Sequence, residues 1–78
     1  MSIDLYKKKV LVIGLGDTGQ SVLHFLADKA CVVTAIDTRS IVNGFEEIKK
    51  IYKEVKFFIG GSFDKNIIQD IDLIVISP

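Results

Sequence analysis

A small Rossmann-like α/β fold, three layers around a parallel sheet of strand order 3-2-1-4, is predicted by three features of this 78-residue sequence. Short, nearly continuous apolar runs alternate with stretches whose apolar residues recur at helical spacing, the pattern of parallel strands joined by helical crossovers. The first run, Val10-Leu11-Val12-Ile13, leads directly into Gly14-Leu15-Gly16-Asp17-Thr18-Gly19, a G-x-G-x-x-G turn from strand to helix. An acidic residue, Asp37, ends the second run 18 positions beyond Gly19, close to the spacing at which a carboxylate meets a ribose hydroxyl. Right-handed crossovers then give the strand order.

Each element has its own justification. The first strand covers about Lys9 to Ile13, after a polar lead-in carrying the lysines at 7–9. The first helix covers about Thr18 to Lys29, with Val22, Phe25, Leu26 and Ala30 on its inner face. Asp17 is expected as its N-cap, with Gln20 three residues on completing a capping box. The second strand, about Cys31 to Ile36, is rich in β-branched residues and ends at Asp37-Thr38-Arg39. Asn43-Gly44 marks a loop, and a second helix follows over about Phe45 to Lys53, with Phe45, Ile48, Ile51 and Tyr52 as its apolar set. Its outer face is expected to pair Glu46 with Lys50. The third strand, Val55 to Ile59, stops at Gly60-Gly61. A short helix around Asp64 to Gln69 precedes a fourth strand, about Asp72 to Ile76, and the chain ends at Ser77-Pro78.

Bulk composition narrows the function. Seventy-eight residues make one small domain, which buries only roughly 60% of its unfolded surface. Ten basic residues balance ten acidic ones, so no net field favours nucleic acid or an anionic membrane. No apolar run is long enough to span a bilayer, and the N-terminus lacks the basic flank and apolar core of a secretory signal. One cysteine, Cys31, allows no internal disulfide and no metal-ligand spacing. A cytoplasmic protein is expected. The apolar fourth strand would form an open edge, a liability that natural sheets cover, so the chain is expected to be a fragment of a longer one, truncated after strand four.

The glycine turn is where ligand chemistry is expected. Gly14 permits the tight turn, Gly16 lets a ligand approach the backbone, and Gly19 lets the helix pack on the strand. Unpaired N–H groups at the helix start, together with the helix dipole, suit a phosphate or diphosphate. In the order 3-2-1-4 the chain reverses direction between strands one and four, so Gly14-Leu15-Gly16 and Ser77-Pro78 line the switch-point crevice. On these residues alone, a nucleoside-diphosphate site and half of an NAD(P) site, with Asp37 on the adenosine ribose, are both admissible.

The strings Gly14-Leu15-Gly16-Asp17-Thr18-Gly19-Gln20-Ser21, Asp37-Thr38-Arg39 and Asp72-Leu73-Ile74-Val75-Ile76-Ser77-Pro78, in that order and spacing, resemble the N-terminal domain of the MurD-type ligases of the Mur ligase family. These are the UDP-N-acetylmuramoylalanine–D-glutamate ligases of peptidoglycan synthesis. The resemblance covers nearly the whole chain and implies a domain holding the UDP part of UDP-N-acetylmuramoyl-L-alanine. It implies ATP and Mg²⁺ in a central domain, D-glutamate in a C-terminal one, and a reaction through an acyl phosphate that the amine attacks. Asp17 and Thr18 match the diphosphate-contacting segment, Asp37, Thr38 and Arg39 the loop around uracil and ribose, and Ser77 and Pro78 the start of the loop running toward the sugar. A carboxylate beside a diphosphate is repelled, so Asp17 is expected to serve through its N–H, its side chain capping the helix or facing water. The sequence holds no G-x-x-x-x-G-K-[ST] phosphate loop. No catalytic residue, metal ligand or bound cofactor is expected within these 78 residues, which should be inactive alone.

Overall fold

The computed structural model describes residues 4–61 and 63–77; Pro78 lies outside them. Strands β1 (Lys9–Ile13), β2 (Val32–Asp37), β3 (Lys56–Ile59) and β4 (Leu73–Ile76) form one sheet in the order β3-β2-β1-β4, every pairing parallel. Helices α1 (Asp17–Leu26) and α2 (Phe45–Ile51) make the first two crossovers, and a short 3-10 helix, Lys65–Ile68, lies in the third. The Rossmann-like order expected from the sequence is thus present.

Alternation along the strands sorts the sheet into two unlike faces. Val10 and Val12 of β1, with Val33 and Ala35 of β2, pack against Leu23 and Leu26 of α1 and Ile48 of α2, and all are buried. Phe57, Ile59, Leu73 and Val75 extend this face at half burial. The opposite face has less over it, with Thr34, Lys56 and Phe58 beside Asn66 and Ile67 of the 3-10 helix. Leu11 is fully buried there, but Val32, Phe58, Ile74 and Ile76 are 41% to 72% exposed. Helical cover on both faces is therefore uneven.

Asp72 sets the register of β4. Its N–H donates to the Lys9 carbonyl and its carboxylate accepts from the Lys9 N–H, both at 2.8 Å. That reciprocal pair locks the start of β4 to the start of β1, and Val10 then faces Leu73.

Several boundaries and faces differ from expectation. α1 ends at Leu26 rather than Lys29: Ala27 and Lys29 donate to carbonyls three residues back, and Ala30 is left-handed, φ 50°. Its carbonyl there accepts from the N–H of Lys7. The inner face of α1 is Gly19, Leu23 and Leu26, flanked by Val22, because Gly19 sits against the end of β1 and so sets the rotation of the helix. Phe25 falls about 100° per residue away from Leu26, and is 60% exposed beneath the Lys29 ammonium; Ala30 is also exposed. Phe25→Ala is therefore expected to shift stability by less than about 1 kcal/mol, read from the urea midpoint. In α2, Ile51 ends the helix and is exposed, and Glu46 pairs with Lys49 at 3.5 Å, not with Lys50.

Candidate functional site

Four strand ends meet at the carboxyl edge of the sheet. The Gly14 N–H donates to the Ile36 carbonyl, that of Ser77 to Ile13, and that of Gly60 to Asp37, at 2.8 to 2.9 Å. Gly14 turns the chain with φ 100°, a conformation that favours glycine. A side chain there would also lie 2.9 Å from the Ser77 carbonyl oxygen, so the ends of β1 and β4 are in close contact. The direction of the strand order switches between β1 and β4, and in open parallel sheets a ligand crevice lies outside the strand ends at that point.

Asp37 ties the glycine turn to β2. It is 5% exposed, and its two oxygens accept four hydrogen bonds. Oδ2 takes the Leu15 N–H at 2.9 Å and Arg39 Nη2 at 2.7 Å; Oδ1 takes the Arg39 N–H at 2.8 Å and Nε at 3.0 Å. A carboxylate offers about four lone-pair positions, and here all are used. The Arg39 guanidinium, then the N–H groups of Leu15 and Arg39, hold the Asp37 carboxyl well below the usual carboxylate range against the opposing effect of burial. Asp37 in turn raises Arg39 above its ordinary value. The guanidinium stays 59% exposed, with Nη2 4.0 Å from where a Gly16 side chain would begin. A fixed cation therefore faces the glycine turn.

α1 opens beside it. Gly16 is the N-cap in an extended conformation and makes no side-chain cap bond; Asp17 is the first helical residue. The expected Asp17–Gln20 capping box is not formed, because the helix starts one residue early and Asp17 already has helical geometry. Asp17 and Thr18 are exposed at the rim, as is Thr38 across the crevice. The first-turn N–H groups point out of the helix end, the arrangement that favours an anion.

The predicted site residues therefore divide. Gly14, Leu15, Gly16, Asp37, Arg39 and Ser77 come together; Gly19 is buried behind Gly14; Asp17, Thr18 and Thr38 form the rim; Pro78 is outside the described residues. Leu15 has a fully buried side chain, and its N–H is held by Asp37. Gln20 was not expected here. Its Nε2 donates to the Leu15 carbonyl at 3.1 Å and to that of Asn43 at 3.5 Å, and no sequence signal separates this from a capping role. Among the described residues no three of His, Cys, Asp and Glu gather to hold a metal ion, and no helix is long and apolar enough to cross a membrane.

Comparison with known proteins assigns the family. Residues 8–78 match the model described as Mur ligase MurD-like, N-terminal domain. The chain is 41% identical over 78 residues to the UDP-N-acetylmuramoylalanine–D-glutamate ligase of Pasteurella multocida, covering 100% of this chain and 17% of that protein. It is 37% identical over 76 residues to the enzyme of the same name from Bdellovibrio bacteriovorus, covering 96% and 16%. The chain thus spans less than a fifth of the length of these relatives. A solved structure of SirC, precorrin-2 dehydrogenase, shares the fold, with a TM-score of 0.75 at 14% identity over 99% of this chain and 37% of that one. The matching family model and these relatives, each aligned to nearly the whole chain, place it in the Mur ligase family as a MurD-like N-terminal domain.

Proposed function

We propose that this domain holds the UDP portion of UDP-N-acetylmuramoyl-L-alanine for a ligase that adds D-glutamate in peptidoglycan synthesis. The observation that carries the reading is Arg39, pinned by Asp37 with its guanidinium turned toward the glycine turn and the start of α1. A cation and a helix N-terminus facing one crevice suit a diphosphate. In this reading Arg39 meets a phosphate or stacks on the base, Thr38 lies on the side of the base and its ribose, and Ser77 begins the loop toward the sugar. ATP, Mg²⁺ and D-glutamate belong, in this reading, to the remaining length that the relatives have, and the setting is the cytoplasm. The 78-residue chain binds but does not catalyse; the open edge of β4 is where a second copy would add if it self-associates.

An NAD(P) site is the weaker reading. There the acidic residue accepts from the ribose hydroxyls, whereas a ribose reaching Asp37 must compete with Arg39 for oxygens already occupied.

Amide NMR titration with UDP and with NADH separates the two. Shifts at Thr18, Gly19, Asp37 and Arg39 with UDP alone are expected; shifts with NADH alone would overturn the ligase reading. Gly16→Val supplies the control. Gly16 has an ordinary extended backbone, and the nearest atom to a side chain there is the flexible Arg39 Nη2 at 4.0 Å, so valine should fold normally while its methyl groups block the approach to the glycine turn. UDP affinity should fall more than tenfold with the urea midpoint nearly unchanged. Unaltered binding would place the ligand elsewhere.

A further inference from the structure

We propose that Gln20 is a positioning residue that sets both walls of the crevice. It lies on the first turn of α1, half-buried, and its amide carries two N–H donors. Nε2 donates to the carbonyl of Leu15 in the glycine turn at 3.1 Å and, more weakly at 3.5 Å, to the carbonyl of Asn43, in the loop that leaves Arg39 for α2. The Leu15 residue is thereby gripped at both ends, its N–H by Asp37 and its carbonyl by Gln20. Asp37 also holds the backbone and the guanidinium of Arg39. A closed circuit results: Arg39 to Asp37, Asp37 to Leu15, Leu15 to Gln20, Gln20 to Asn43, and back along the chain to Arg39.

The circuit makes the two loops one unit. Neither wall can move outward without stretching a bond to Gln20 or Asp37, so the gap between the start of α1 and the 38–43 segment is held by two side chains. Asp37 acts from the sheet and Gln20 from the helix. Gln20 does not touch the ligand in this arrangement; it acts through Leu15 and Asn43. That it tunes nucleotide affinity rests on the UDP reading above, whereas the linkage between the loops does not.

Gln20→Met keeps length and helix propensity but removes both donors. Amide resonances at Leu15 and Gly16 and, separately, at Asn43 and Gly44 are expected to shift together in the unliganded protein. Affinity for UDP should fall about tenfold, the equivalent of one hydrogen bond's worth of lost organisation. Gln20→Lys, whose ammonium can donate to both carbonyls, should recover part of that loss, which a purely local effect on α1 would not allow. Shifts confined to residues 15–24, or full UDP affinity in Gln20→Met, would overturn the proposal. If the parent chain binds no UDP, the UDP reading fails, and the paired resonance shifts still decide whether Gln20 links the loops.

Discussion

Gly19→Ala is expected to remove about 3 kcal/mol or more of stability, a large part of what so small a domain has. A β-carbon at position 19 would lie 1.9 Å from the Gly14 carbonyl oxygen and 2.9 Å from its carbon. Both atoms are backbone, held because the Gly14 N–H is bonded to Ile36 at the end of β2. No rotamer change relieves the clash; α1 must lift away from β1. That movement would part Leu23 and Leu26 from Val10 and Val12. Overpacking a core usually costs about 1–3 kcal/mol, and more where the backbone must shift. A fold of this length has roughly 4–12 kcal/mol in all. Urea unfolding followed by circular dichroism would measure the loss. Gly16→Ala is the matched control, since its nearest neighbour beyond the adjacent residues is 4.0 Å away. Equal midpoints for the two variants would mean that α1 does not dock on Gly14 as described.

Asp37→Asn is expected to cost about 2–3 kcal/mol at neutral pH and to alter the acid limb of stability. The shape is kept, but one acceptor oxygen becomes an amide that presents N–H groups to donors. Either the buried Leu15 N–H or the Arg39 fork then loses its partner, and leaving a buried donor unmet costs about 1–3 kcal/mol. The charge is lost as well, although Arg39 is largely in water and that part is correspondingly small. The pH dependence has a definite sign. The folded-state pKa of Asp37 is depressed below the ordinary carboxylate value, so the stabilisation is complete above about pH 4. It fades as pH falls below that value toward the folded one. The parent chain should therefore lose stability between about pH 4 and pH 2, and Asp37→Asn should show a flatter profile there. Parallel profiles would place the acid sensitivity in other carboxylates.

The fold was readable because its strands announce themselves. Val10 to Ile13 and Leu73 to Ile76 are unbroken apolar runs, and the glycine turn says which end of β1 faces the crevice. The rotation of α1 was not readable. Phe25 and Leu26 are both apolar, and periodicity admits either; the choice falls to Gly19, whose contact with Gly14 exists only in three dimensions. The same holds for Asp37. Its position at the end of β2 followed from spacing, but that Leu15 and Arg39 take up its oxygens depends on how two loops approach. Gln20 shows the limit most clearly, since a glutamine near a helix start reads as a cap until the carbonyls of Leu15 and Asn43 are located.

The distances along the chain that close the crevice carry an order of assembly. The Leu15–Asp37 bond joins residues 22 apart, whereas the Lys9–Asp72 bond that seats β4 joins residues 63 apart. Closing the longer loop costs more entropy, by an amount that grows only with the logarithm of length; the greater difference is that Asp72 is made long after Asp37. During synthesis, Leu15, Asp37 and Arg39 can join as soon as the residues just past β2 have emerged. The contact that Ser77 makes with Gly14 must wait until β4 has been made, so the β1–β4 side of the carboxyl edge is completed well after the β1–β2 side.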